Sequence, residues 1–167
     1  ANAFTRVVRE DDVRKDLLFA GTERGVFISW NGGKDWSAFQ LNLPITPITD
    51  LRVHKGNLIA ATSGRAFWIL DDLTLLRQYK KDAPAFSLYQ PAGAVIANGG
   101  SELDDTDEDF TGAAKLRGVN PANGIVLYYQ LPELKKTDDI TLEVADADGK
   151  LIRTFSSKKA DFKKWDG

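Results

Sequence analysis

The sequence predicts an all-β chain: two four-stranded sheets of the β-propeller blade kind, followed by the opening strands of a β-sandwich. Three observations lead there. Residues 20–31 (AGTERGVFISWN) and 60–71 (AATSGRAFWILD) superpose at an offset of 40 residues, a period that belongs to stacked repeat units. Around each copy the apolar residues alternate with period two, as half-buried strands require. Beyond residue 120 short strand-like runs return, two of them flanking an Asp-Gly turn, a strong hairpin signal.

Within 1–80 the two units share one grammar. An alternating run comes first, Thr5–Arg9 in one unit and Ile48–His54 in the other. An apolar strand follows (Leu17–Gly21; Asn57–Ala61), then a polar turn (Thr22–Arg24; Thr62–Gly64) and a second apolar strand (Gly25–Trp30; Arg65–Leu70). An outer strand is expected over Trp36–Gln40 and again over Leu75–Tyr79. Four strands per unit of about 40 residues is the arithmetic of a propeller blade. The expected core is Leu18, Phe19, Val26, Phe27, Trp36, Leu51, Ile59, Phe67 and Trp68, with Leu142 and Val144 in the later module.

Residues 81–119 change character. They are rich in Gly, Ala, Asp and Pro, and Ser101–Phe110 holds six carboxylates in ten residues, so self-repulsion and solvation make this stretch a connection between domains. Asp105, Asp107 and Asp109 alternate like the start of a calcium loop. Positions six and twelve of such a loop would be Phe110 and Leu116 rather than Gly and Glu, so the EF-hand pattern fails. From 120 to 167 strands are expected at Ile125–Leu131, Ile140–Asp146 and Lys150–Ser156, with Ala147-Asp148-Gly149 as the hairpin turn and Ile152 across from Leu142 and Val144. Three strands do not close a sandwich, so this module is expected to be incomplete.

Composition excludes several classes. The 167 residues carry 22 basic and 24 acidic side chains, which is no nucleic-acid footprint. No apolar run approaches the ~20 residues of a membrane-spanning helix. With no cysteine and one histidine, His54, disulfides, thiol nucleophiles and multi-histidine metal sites are ruled out, and no cofactor or metal is expected. A chain that starts at Ala1 and holds no methionine is expected to be a segment of a longer protein.

One motif is specific. Ser29, Asn31, Gly33 and Trp36 fit the pattern Ser/Thr-x-Asp-x-Gly-x-x-Trp, the Asp-box or bacterial neuraminidase repeat, with Asn in place of Asp. The polar side chain at the third position bonds turn amides, the glycine takes a positive φ, and the tryptophan packs back on the hairpin. The pattern points to a structural role. In the second unit Asp71-Asp72-Leu73 lacks the Gly and Trp, and that box is degenerate.

With this motif, residues 17–36 (LLFAGTERGVFISWNGGKDW) and 58–78 (LIAATSGRAFWILDDLTLLRQ) resemble the closing blades of bacterial sortilin-type, Asp-box-repeat propellers, a group often labelled glycosyl hydrolases. Residues 120–155 resemble the immunoglobulin-like module of the flagellar-hook-capping type that follows such propellers. The resemblance implies a secreted or periplasmic protein and a non-catalytic structural or accessory segment, with the remainder of a parent propeller as partner and a carbohydrate as candidate ligand. Two alternatives stay open: part of a sialidase- or xyloglucanase-like glycoside hydrolase whose carboxylates lie mainly upstream, and a protein–protein interaction propeller.

Candidate ligand contacts are Arg65, Trp68, Asp71 and Asp72. An indole stacks on a sugar ring and a guanidinium bonds its hydroxyls, yet strand alternation sets Arg65 and Phe67 on one face and Trp68 on the other. Glycoside hydrolysis needs two converging carboxyl groups, and the adjacent Asp71 and Asp72 point apart in a strand. No catalytic residue is assigned. His54, beside the Lys55-Gly56-Asn57 turn with no carboxylate at suggestive spacing, reads as a solvated turn histidine.

Overall fold

A computed structural model describes residues 3–80, 82, 84, 86–94, 124–135 and 138–158. These residues form eleven short strands and one helix, in four separate antiparallel sheets. The all-β class therefore holds, with one helical exception. The chain divides into two compact units, 1–130 and 131–167. The acidic run 101–110 and the tail beyond residue 158 lie outside the described residues.

The first unit is built on two sheets. Sheet 1 is a meander of β1 (Thr5–Glu10), β2 (Leu18–Thr22), β3 (Gly25–Ser29) and β4 (Ser37–Ala38). Sheet 2 contains β5 (Ile48–His54), β6 (Asn57–Thr62) and β7 (Phe67–Leu70). The two follow one plan in detail. Both first strands slip register near their start, between Thr5 and Val7 and between Ile48 and Asp50. Both hairpins are closed by a threonine hydroxyl. Thr22 Oγ1 donates to Gly25 O (3.0 Å) and accepts from the Arg24 amide (3.1 Å), while Thr62 Oγ1 donates to Ala66 O (2.7 Å) and accepts from the Arg65 amide (3.1 Å). Such hydroxyl-to-backbone bonds favour a turn over continued strand.

The second turn is longer than the sequence predicts. Gly64 (φ 82°) and Ala66 (φ 57°) take left-handed conformations, so β7 begins at Phe67 rather than Arg65. A larger departure follows it. The expected outer strand Leu75–Tyr79 is instead α1 (Thr74–Gln78), and sheet 2 has three strands. Leu73, fully buried, is pinned by its amide to Gly56 O (2.8 Å), and Asp72 Oδ1 accepts the Thr74 amide (2.9 Å). Thr-Leu-Leu-Arg-Gln then continues as a turn of helix, since Leu, Arg and Gln lose little freedom there.

The sheets pack face to face. Val7, Phe19, Val26 and Ile28 of sheet 1 meet Ile48, Leu51, Leu58 and Ala60 of sheet 2, with Leu17 and Leu73 sealing the ends. There is no room for a side chain at Gly21, where a Cβ would stand 2.7 Å from Ile48 Cγ2 across the seam and 2.7 Å from Val7 Cγ1 of its own sheet. Arg9 crosses the seam, its Nε donating to Leu51 O (2.9 Å) and its Nη2 to Asp50 Oδ1 (2.8 Å). Five expected core residues lie outside this core: Phe67 is 75% and Trp36 39% exposed, while Leu18, Phe27 and Ile59 are half-buried on the faces turned away from the seam. Phe67 pairs with Ala61 and shares the face of sheet 2 that points away from sheet 1. Trp68 packs half-buried against the core, which Phe19, Val26 and Leu51 share with Val7, Leu17, Ile28, Ile48, Leu58, Ala60 and Leu73.

Of the expected strand Ile125–Leu131, only β9 (Tyr129–Gln130) forms, paired with β8 (Ser87–Leu88) in the same unit. Tyr89 is buried beside it and its hydroxyl bonds Gln130 Oε1 (3.1 Å). In the second unit β10 (Thr141–Ala145) and β11 (Leu151–Ser156) form the expected hairpin. Asp146 Oδ1 accepts the amides of Asp148 (3.1 Å) and Lys150 (2.8 Å), and Gly149 takes φ 81°. The cross-strand partners of Leu142 and Val144 are Phe155 and Arg153, not Ile152, because a bulge between Val144 and Ala145 shifts the register. Leu142 and Val144 are half-buried.

Candidate functional site

The Asp-box residues converge on one turn after β3. Ser29 is buried, and its Oγ accepts the amides of Gly33 (2.9 Å) and Asn31 (3.4 Å) while donating to Asn31 Oδ1 (3.0 Å). Asn31 Oδ1 also accepts the Asp35 amide (2.9 Å), and Asn31 Nδ2 donates to Asp35 Oδ2 (2.8 Å). Gly33 sits at φ 86°, where a side chain would be strained. Trp36 lies over it, since a Cβ on Gly33 would be 3.5 Å from Trp36 Cζ2. The Ser29 and Asn31 side-chain bonds all stay within the turn, and the Gly32 amide ties it to Asp16 O (3.0 Å). Asn31 in place of Asp has a local reason. Its amide nitrogen supplies a proton to Asp35, which a carboxylate could not do.

Arg65 and Trp68 are tied to their own hairpin. The exposed Arg65 uses its amide for Thr62 Oγ1 and its carbonyl for the Trp68 indole, Nε1 to Arg65 O at 2.9 Å. The Trp68 ring lies partly on the core and, with Val26, Phe39, Leu43, Leu58 and Leu70, lines a shallow apolar cleft of about 60 Å³. Ligand pockets run to roughly 300–1,000 Å³, so this one is too small for a sugar ring. Asp71 is exposed. Asp72, at φ 57°, donates its amide to Asn57 Oδ1 (3.1 Å) besides capping Thr74. The structure does not gather Arg65, Trp68, Asp71 and Asp72 around one point. His54 is exposed at the end of β5, beside a two-residue turn in which Lys55 and Gly56 both have positive φ, as a tight hairpin demands. Among the described residues no three His, Asp or Glu side chains are placed to hold a metal ion.

The densest polar cluster is one that sequence reasoning missed. The Asp11 side chain has no solvent exposure. It takes a forked contact from Arg77, Nε to Oδ2 at 3.0 Å and Nη2 to Oδ1 at 2.8 Å, and accepts the amides of Val13 (3.1 Å) and Arg14 (2.7 Å). Arg77 Nη2 also reaches Asp12 (2.7 Å). Burial pushes the Asp11 carboxyl up, but the Arg77 bonds and the two amides outweigh it and hold the group below its ordinary value. Those same bonds raise the Arg77 guanidinium further. From the other side, Arg14 Nη1 donates to the carbonyls of Leu76 (2.8 Å), Arg77 (3.2 Å) and Tyr79 (2.6 Å), satisfying the C-terminal end of α1. Trp30 adds an indole bond to Leu76 O (3.2 Å) and packs on Tyr79 with ring centroids 4.9 Å apart. This clasp fastens the loop between β1 and β2 to the helix after β7. Its partners stand more than forty residues apart in the chain, and no local spacing announces them.

No protein-family model, no curated protein and no solved structure matches this chain.

Proposed function

We propose that this chain is a non-catalytic structural segment of an Asp-box-repeat β-propeller protein, in which residues 1–80 supply two consecutive sheets of the ring. The observation that carries the reading is the repeated plan of sheets 1 and 2. Two meanders share the same early register slip and the same threonine-closed hairpin, and they stack face to face with the first strands adjacent across the seam. The Ser29–Trp36 turn supports it, because the Ser29 and Asn31 side chains that define the motif bond only within the turn. The immunoglobulin-like reading of the later strands, and a secreted or periplasmic setting, go with the same resemblance. The β10–β11 hairpin is compatible with an early part of such a sandwich.

The structural role also accounts for the aromatic and acidic candidates. Trp68 is spent on Arg65 O and the core, and Asp72 on the start of α1. The test is an amide NMR fingerprint titrated with soluble polysaccharides and sialylated oligosaccharides. The expected result is dispersed peaks that do not move. Saturable shifts clustered on Arg65, Trp68 and Asp71 would replace the structural reading with a glycan-contacting one.

A further inference from the structure

Every open sheet ends in strands with unpaired backbone, and the edges of sheets 1 and 2 are unlike. β1 and β5 both carry the register slip and charged residues, Arg6 and Arg9 on one and Asp50 and Arg52 on the other, and Arg9 Nε occupies Leu51 O. β4 is two residues long. Slips, charges and brevity are what keep a sheet edge from pairing with another chain. β7, Phe67-Trp68-Ile69-Leu70, has no slip and no charge, and it is apolar throughout.

The register shows which of its groups point outward. Ala60 pairs with Trp68 as Ala20 pairs with Phe27, so Phe67 and Ile69 hold the places of Val26 and Ile28. In sheet 1 that side of β3 is taken: Phe27 and Ile28 pair with β4, and Val26 O accepts the Phe39 amide (2.9 Å). In sheet 2, Ala66 O turns inward to the Thr62 amide (3.2 Å), so alternation turns the amides and carbonyls of Phe67 and Ile69 outward. With α1 in place of a fourth strand, those groups have no partner among the described residues.

We propose that β7 pairs edge to edge with β7 of a second copy, antiparallel and centred on Trp68, so that two three-stranded sheets become one. In that register Phe67 of each copy exchanges backbone bonds with Ile69 of the other. The ends of the strand commit it to its own kind. Arg65 precedes β7 and Asp71 follows it. Both are exposed, and neither side chain has a bonding partner among the described residues. Centring on Trp68 sets Arg65 of each copy against Asp71 of the other. Centring on Phe67 or Ile69 would match fewer outward groups and leave both charges without an opposite.

The apolar side chains agree with this register. Phe67, 75% exposed, comes to lie beside Ile69 of the other copy, itself 59% exposed. Aromatic and β-branched residues opposite each other stabilise antiparallel sheets, and an isologous contact forms that pair twice. The charges sit at the rim, where an ion pair adds little affinity. Like charges directly opposite oppose pairing, so the ends select register and partner. The inference goes beyond the scaffold reading and uses only the pairing within sheet 2. It leaves the faces of that sheet to whatever stacks on them, because strands add at an edge and sheets pack through faces.

Sedimentation velocity over a concentration series, with hydrogen exchange on the same samples, tests this. The wild-type chain is expected to dimerise, and the Phe67 and Ile69 amides to exchange more slowly as dimer forms. Arg65→Asp and Asp71→Arg each set like charges opposite and are expected to weaken the dimer on the order of tenfold. The double variant restores it. An equimolar mixture of the two single variants likewise forms a one-to-one complex, which also shows that both fold. A wild-type chain that stays monomeric overturns the proposal and leaves the scaffold reading untouched. A dimer whose Phe67 and Ile69 amides exchange as fast as in the monomer overturns it too, since the copies then meet elsewhere. So does a charge swap that brings no rescue.

Discussion

At the scale of single residues, the Asp11–Arg77 pair is the most consequential contact in the first unit. Removing Asp11 breaks a buried, forked contact, leaves Arg77 only Asp12 as a charged partner and strips the Val13 and Arg14 amides of their acceptor. Asp11→Ala is therefore expected to cost about 3 kcal/mol in chemical denaturation; a change near zero would show that the clasp holds nothing. The pair also sets a pH dependence. The Asp11 carboxyl is lowered in the folded chain from a reference near 3.8. Its contribution is thus complete above that reference and is lost as pH falls through the lower folded value. Acid unfolding of wild type is expected below about pH 4, and Arg77→Ala should move it to higher pH.

Asn31 makes a subtler prediction. Restoring the consensus by Asn31→Asp sets a second carboxylate against Asp35 and is expected to destabilise by about 1 kcal/mol, an effect that salt should relieve. Adding Asp35→Asn should recover it. Gly21→Ala brings a methyl into a seam with no room for it, and about 1–3 kcal/mol of destabilisation is expected; a neutral result would mean the sheets stand farther apart.

Among the elements, strands with a repeated grammar were legible and their endings were not. Alternation located β1, β2, β3, β5 and β6 within a residue or two, because one face of each is buried against the partner sheet. The outer elements depend on distant groups. Leu75–Tyr79 carries an apolar pattern that suits a short strand or a helical turn equally. What decides for α1 is Leu73 sinking into the core and Arg14 binding the helix's terminal carbonyls, neither of which is local information. Arg14→Ala is expected to fray α1 and expose Trp30, visible as a red shift in tryptophan fluorescence; an unchanged spectrum would count against the capping role. β4 is equally short, two residues where five were expected, and Trp36 falls in the turn before it. With the indole 39% exposed, Trp36→Ala is expected to cost about 1–2 kcal/mol, at the low end for a large aromatic. Ile152 was misplaced for a different reason: a bulge in β10–β11 leaves no trace in period-two alternation.

For the whole molecule, the sequence carried the repeat and the structure supplies what the repeat builds, a pair of sheets stacked through unlike faces. The Asp-box was legible because its parts lie within eight residues. The clasp was not, because Asp11, Arg14 and Arg77 meet only after the sheets have packed. The candidate ligand residues show the same limit. Their types suit a sugar, but the Trp68 indole is engaged by Arg65 O and the Asp72 carboxylate by the start of α1, and the four do not face one point, which only three-dimensional placement reveals.

The central claim is that sheets 1 and 2 form one stacked scaffold joined by the Phe19–Leu51 core and the clasp. Native-state hydrogen exchange tests it most directly, since amides within one cooperative unit open with one free energy. The account predicts that the slowest amides of β2, β3 and β6 share a single opening free energy, and that Asp11→Ala lowers all of them together. Two separate values, with only one sheet responding to Asp11→Ala, would contradict it.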